Sequence, residues 1–116
     1  MNKIIIALTT LVITINISAC GGSSPEEKKE KTCQDGILAY QYAKDFIKNR
    51  LKAPSTAEFP SFRGVSHTYK GKCSHRITGA VDAQNSFGAK IRNRFDVTVR
   101  YNKEKETYSL ESLSLK

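Results

Sequence analysis

Several features that would point to an enzyme are absent from this sequence of 116 residues. It contains no glycine-rich phosphate loop, no HExxH or GxSxG motif, and no nucleophile–histidine–acid set. Tryptophan is absent as well. Asp82 has no obvious second carboxylate beside it, which glycoside hydrolysis would require. We therefore predict that the chain is not an enzyme and that it uses neither a cofactor nor a metal ion.

Negative charge is scarce as well. Eleven Asp and Glu residues stand against nineteen Lys and Arg residues, which gives a formal net charge of +8. An excess of positive charge favours contact with anionic lipids or glycans. Nucleic acid is not expected as a partner, because aromatic residues do not alternate with the cations and because the chain begins with an export segment.

No hydrophobic run is as long as a transmembrane helix. The longest, residues 4–17, has about fourteen residues where a span needs roughly twenty, and it contains Thr9, Thr14 and Asn16. Lys3 precedes it. A short apolar run after a positive residue is typical of a cleavable export signal.

The end of this run carries the first resemblance to a known family. The sequence ISACG occupies residues 17–21, with the small residues Ser18 and Ala19 immediately before Cys20. It resembles the lipobox of bacterial lipoproteins and departs from it by having Ile17 where leucine is most common. The resemblance implies that Cys20 is linked to diacylglycerol, becomes the N-terminus after cleavage and is then N-acylated. An ordinary secretory signal cut near Ala19 is the alternative.

The resemblance also implies an organisation and a location. Residues 1–19 are expected to be a signal peptide, residues 20–32 a lipidated cysteine with a flexible tether, and residues 33–116 a folded domain. The tether is predicted from the low hydrophobicity and the balanced Lys and Glu residues of this segment. Acyl chains on Cys20 would make the membrane a partner. Gly21, where an aspartate would favour the inner membrane, implies an outer-membrane lipoprotein of the bacterial envelope that faces the periplasm or the surface.

The domain is predicted to begin with an amphipathic helix. Apolar side chains recur at three- and four-residue spacing, at Ile37, Tyr40, Ala43, Ile47 and Leu51. Thr32 or Asp35 is expected to cap the start of this helix, and Pro54 to prevent its continuation. The helix is followed by a connector in which Phe59 and Phe62 are expected to close the end of the core.

Three or four strands are predicted after the connector, over residues 65–69, 73–83, 89–101 and 108–115. The alternation of apolar and polar residues is cleanest in the third, which indicates a sheet with one packed and one solvated face. In the last strand the alternation of apolar and polar residues is interrupted between Leu110 and Leu113, which indicates a bulge or an early end of the strand. The order of elements predicts an α+β fold, with the N-terminal helix packed on an antiparallel meander.

Two cysteines remain in the domain once Cys20 is assigned to the lipid. Cys33 and Cys73 form an even pair in an exported chain, which favours a disulfide. Free thiols are one alternative. A zinc site is another, because a turn centred on Gly71 would bring His67 and His75 face to face near Cys73.

Two segments resemble a small bacterial and phage-associated domain of uncharacterised function. They read KAPSTAEF and VDAQNSFGA, within a resemblance that covers residues 43–101. The resemblance brings no activity with it. The second segment nevertheless concentrates hydrogen-bonding side chains around Phe87, which the turn at Gly88 either exposes or buries.

We expect any partner to bind at this loop and at the basic face of the third strand. The candidate residues are Asp82, Gln84, Asn85, Phe87, Lys90, Arg92 and Arg94. The alternative is that the loop side chains bond their own backbone and that the cations, which also include Arg100, are a solvated face.

Two functions are consistent with these features. The first is a non-catalytic binding module on an envelope lipoprotein, one form of which would be a mobile-element protein that protects the cell surface. Its partner would be an envelope protein or an anionic glycan or lipid. The second is a structural or assembly lipoprotein without a ligand.

Overall fold

The computed structural model describes residues 24–116, so the predicted signal peptide, Cys20 and Gly21 lie outside the described residues. The helices are α1 (Pro25–Gln34) and α2 (Gly36–Lys48), followed by two single 3-10 turns, Pro54–Thr56 and Phe62–Gly64. The strands are β1 (Ser66–Gly71), β2 (Ser74–Gln84), β3 (Lys90–Asn102) and β4 (Thr107–Leu115). Among residues 24–116, no helix is both long and apolar enough to cross a membrane.

The strands form one antiparallel sheet in the order β1-β2-β3-β4, and α2 lies against one face of it. The prediction of an α+β fold with a helix and an antiparallel sheet is therefore confirmed, with four strands. Phe59 and Phe62 pack against the edge of the core as expected. The core is formed where α2 meets the inward-facing residues of the three C-terminal strands.

The core follows the predicted helical stripe except at its two ends. At the C-terminal end α2 stops at Lys48, so Leu51 lies beyond the helix and packs against the core only partly buried. From α2 the buried residues are Ala39, Tyr40, Ala43 and Ile47, and they meet Ile77, Val81, Phe95, Val97 and Val99 of the sheet. Ile37 does not belong to the core, since it is 57% exposed. On a helical projection Gly36, and not Ile37, continues the buried stripe into the first turn, so the isoleucine points sideways to solvent.

The segment predicted to be a flexible tether is helical from Pro25 onward, which corrects that expectation. Ser24 caps α1 with its side chain, and Glu27 completes a capping box by bonding back to the Ser24 amide. The helix is also bonded to the domain, because Tyr108 donates its hydroxyl to the Thr32 carbonyl and Lys103 pairs with Glu30. Composition alone missed α1, because its stability comes from these caps and contacts and not from an apolar face.

Asp35 separates the two helices, as one of the predicted caps. Its amide donates to the Thr32 carbonyl at the end of α1, and its carboxylate accepts the Leu38 amide at the start of α2. The predicted bulge in the last strand is also confirmed. Thr98 pairs with Ser112 while Val99 pairs with Leu110, which leaves Glu111 as the extra residue.

The predicted disulfide is confirmed between Cys33 and Cys73, forty residues apart in sequence. It joins the α1–α2 junction to the turn between β1 and β2. Both cysteines are buried, beside Tyr101 and Tyr108. With the two sulfurs bonded to each other, the alternatives of free thiols and a zinc site that uses both thiolates do not apply.

The disulfide is expected to stabilise the domain substantially, because it closes a long loop in the unfolded chain and so lowers the conformational entropy of the unfolded state. We predict that the double variant Cys33→Ala, Cys73→Ala loses about 4 kcal/mol of unfolding free energy, measured by urea denaturation. Mass spectrometry of the non-reduced protein should recover the two cysteine peptides as one linked species. Complete alkylation of both thiols without a reductant would contradict the pairing.

Candidate functional site

The loop between β2 and β3 is held in one conformation by Asn85. The side-chain oxygen of Asn85 accepts hydrogen bonds from the amides of Phe87 and Ala89, at 2.9 and 3.0 Å. Its backbone completes the loop, because its amide donates to the Ala89 carbonyl and its carbonyl accepts from Gly88. Gly88 has a φ of +79°, which glycine adopts without strain. For Asn85, the expectation that loop side chains satisfy their own backbone is thus correct.

The same loop leaves Phe87 in solvent. Its side chain is 95% exposed, the highest value among the large hydrophobic residues that the structure describes. Exposed single aromatics are unfavourable in water and are frequent anchors in protein interfaces. A rigid loop that presents one phenyl ring can bind a partner without first being ordered.

Asp82 and Arg92 meet beside this loop, as opposite residues of β2 and β3. The Arg92 guanidinium donates two hydrogen bonds to the Asp82 carboxylate, at 2.8 and 3.0 Å. These bonds hold the pKa of Asp82 below its ordinary value and raise the pKa of Arg92. Two of the predicted binding residues are therefore already bonded to each other.

A shallow cleft of about 390 Å³ opens at this pair. It lies where the connector rejoins the edge of β2, since Glu58 and Asp82 exchange two backbone hydrogen bonds of 2.7 and 3.1 Å. Its lining consists of Glu58, Phe59, Pro60, Gly64, Ala80, Asp82 and Arg92. The connector, which was not among the predicted site residues, supplies the apolar wall.

The predicted basic face carries less free charge than the sequence indicated. Lys90 pairs with Glu58, and Arg100 pairs with Glu111, each at 2.6 Å. With Arg92 bonded to Asp82, Arg94 is the one of the four predicted cations without an ion pair to residues 24–116. The acidic partners of Lys90 and Arg100 come from the connector and from the β4 bulge, which strand alternation alone cannot reveal.

Gln84 is exposed at the end of β2, and its backbone amide donates to the Thr56 hydroxyl at 2.9 Å. This bond attaches the first 3-10 turn to the strand that leads into the loop. Most of the predicted binding residues are thus brought to one end of the sheet, around Phe87 and the cleft, whereas Arg94 lies further along β3, opposite Ala80.

The two histidines lie at the opposite end of β2. The turn is tighter than predicted, with positive φ at Lys72 and Cys73, so His75 pairs with Tyr69 and not with His67. His67 still reaches His75 diagonally, at 2.8 Å between Nε2 and Nδ1. No group of three or more metal-binding side chains occurs within residues 24–116.

No family model, no curated protein and no solved structure matches this chain. The resemblances to bacterial lipoproteins and to the small phage-associated domain therefore stay predictions.

Replacing Asn85 with alanine is expected to lower the stability of the domain more than replacing Phe87. Asn85→Ala removes two hydrogen bonds that hold the loop and should cost about 1 kcal/mol of unfolding free energy. Phe87→Ala removes a ring that contacts water and should change it by less than about 0.5 kcal/mol. Urea denaturation of the two variants beside the unaltered protein measures both. A larger loss for Phe87→Ala than for Asn85→Ala would show that the ring packs in solution.

Proposed function

We propose that this chain is a non-catalytic binding lipoprotein of the bacterial envelope, anchored through Cys20 and binding a protein partner with the β2–β3 loop. The observation that carries the binding role is the exposed Phe87 ring on a loop fixed by Asn85. Export is supported by the Cys33–Cys73 disulfide, because structural disulfides persist in oxidising compartments.

The position of the loop suits a surface-anchored module. The disulfide and α1, which leads back toward Cys20, lie at the start of β2, whereas the loop follows its end at Gln84. The eleven residues of β2 span about 33 Å at roughly 3.3 Å per step. Phe87 would therefore be presented away from the anchoring membrane.

The chemistry near the loop favours a protein over an anionic polymer. Three of the four predicted cations are bonded to carboxylates, so a purely electrostatic contact would have to compete with those ion pairs. Phe87 and the cleft walls of Phe59 and Pro60 instead supply apolar area. An interface of this kind has an aromatic anchor with a polar rim.

A structural or assembly lipoprotein without a ligand is the second candidate. It is favoured by the internal bonding of Asn85, Asp82 and Arg92, which leaves few of the predicted polar groups free. The two candidates differ in what Phe87 does, because only the binding module needs an exposed ring. They also differ in deletion phenotype: loss of surface protection, for example against phage, indicates the first and general envelope leakiness the second.

The anchor is tested by changing the cysteine that would carry it. The Cys20→Ser variant, expressed with the full signal segment, should lose incorporation of labelled palmitate and should leave the membrane fraction, since no acyl chain can be attached. Ser23→Ala, three residues further along the chain, is the control because it leaves every cysteine in place, and it should retain the label. Unchanged membrane fractionation of Cys20→Ser would contradict the lipoprotein assignment.

The binding role is tested by chemical crosslinking in cells that produce the protein. Phe87→Ala should lose a crosslinked protein that the unaltered chain retains, because the ring is the proposed anchor, whereas its neighbour Ser86→Ala should retain it. Both variants should fold equally well, which thermal denaturation checks. Identical crosslinked species for all three chains, or none for any of them, would favour the structural candidate.

A further inference from the structure

The proposed binding site does not use the two histidines, of which His75 is buried and His67 half-buried. His75 is fully buried on β2, and both of its ring nitrogens are bonded. Its Nε2 lies 2.7 Å from the Cys33 carbonyl oxygen, and its Nδ1 lies 2.8 Å from Nε2 of His67. The two rings are stacked with centroids 5.0 Å apart.

The carbonyl of Cys33 determines where the protons are. A carbonyl oxygen only accepts, so Nε2 of His75 carries the hydrogen and donates it. In the neutral ring Nδ1 must then accept, and His67 donates from its own Nε2. The remaining nitrogen, Nδ1 of His67, has no hydrogen-bond partner among residues 24–116 and can take up a proton without breaking either bond.

This relay joins elements that come from distant parts of the sequence. The Cys33 carbonyl belongs to the end of α1, and the His67 ring lies so close to the Gly36 backbone that a Cβ there would be 2.6 Å from it. Tyr69 extends the contact to the disulfide, because its hydroxyl lies 3.5 Å from Cys33 Sγ and accepts the Cys73 amide at 3.2 Å. The histidines therefore bond the end of α1 to β1 and β2, next to the Cys33–Cys73 bond.

We propose that His67 and His75 form an acid-sensitive clasp, which bonds the helix junction to β1 and β2 at neutral pH and loosens this packing around the Cys33–Cys73 bond when both rings are protonated. The first proton is accommodated at Nδ1 of His67. The second places a hydrogen on each of the two facing nitrogens, so the N–H···N bond cannot persist. Two positive rings in contact then repel each other, and one of them is fully buried.

Among residues 24–116, the aromatic side chains that pack on the two rings are Tyr69 of β1, against His75, and Phe62 of the connector, against His67. Asp35, between α1 and α2, is the carboxylate that lies nearest the helix junction in the sequence. The Asp35 carboxylate is bonded to the Leu38 amide. Within residues 24–116, no carboxylate forms an ion pair with either histidine.

Acid should therefore weaken the folded state. Burial, and after it the neighbouring His75, lower the pKa of His67 below the ordinary value of 6.5. A folded group with a lowered pKa binds fewer protons than the unfolded chain. Its contribution to stability is complete above pH 6.5 and is lost progressively as the pH falls below that value.

The clasp is tested by the rate at which a phosphine reduces the disulfide. The phosphine attacks one sulfur, water then supplies the oxygen of the phosphine oxide, and both sulfurs leave as thiols. The measured quantity is the rate in the folded protein divided by the rate in urea-unfolded protein at the same pH. This ratio should rise at least about tenfold as the pH is lowered from 7.5 to 5. A tenfold rise corresponds to about 1.4 kcal/mol. A ratio that stays constant would overturn the proposal.

The control variant is His67→Gln, whose side-chain amide can still donate to His75 but cannot be protonated. Its ratio should remain flat across the same range. A ratio that rises as steeply as in the unaltered protein would assign the effect to other groups and overturn the clasp. If the variant fails to fold, nitrogen NMR of the unaltered protein decides. A coupling across the N–H···N bond at pH 7.5 should vanish at pH 5, and its persistence at pH 5 would contradict the mechanism.

Discussion

The Cys33–Cys73 disulfide is the constraint on which the rest of the structure depends. It fixes the junction of the two helices to the turn that precedes β2, so the N-terminus of α2 is held at that end of the sheet. The polar helix α1 ends at this bond and is stabilised by contacts that the bond brings within reach, such as the hydrogen bond from Tyr108 to Thr32. For a domain with few buried residues, a contribution of about 4 kcal/mol is a large part of a total that is typically 5–15 kcal/mol.

The disulfide lies at one end of the sheet, and the two ends differ in their chemistry. Its own end is closed, with both cysteines and His75 buried and every ring nitrogen of His75 bonded. The other end is open, with Phe87 in solvent and a shallow cleft beside the Asp82–Arg92 pair. This division is compatible with the proposed anchored binding module, in which the end nearer the anchor would be closed and the distant end accessible.

The parts of the fold that sequence could predict are those that depend on local periodicity. The stripe from Tyr40 to Ile47 and the alternation of β3 both follow from burial of one face, and the interruption of the alternation near Leu110 located the bulge. α1 was missed because its residues are polar and its stability comes from caps and distant contacts. The ion pairs were missed because Glu58 and Glu111 approach the cations only after the chain has folded. The sequence identified Phe87 as a candidate, but its exposure depends on how Asn85 closes the loop.

The orientation of the domain on a membrane tests the central claim most directly. A cysteine introduced at Ser86 or at Lys103 carries a spin label, and the lipidated protein is bound to vesicles that contain nickel-chelating lipids. Nickel at the headgroups enhances the relaxation of a nearby spin label, so the enhancement reports the distance of the label from the lipid surface. Lys103 pairs with Glu30 of α1, at the end of the sheet that leads to Cys20, whereas Ser86 is beside Phe87. The account predicts strong enhancement at position 103 and little at position 86. Equal or stronger enhancement at position 86 would contradict it.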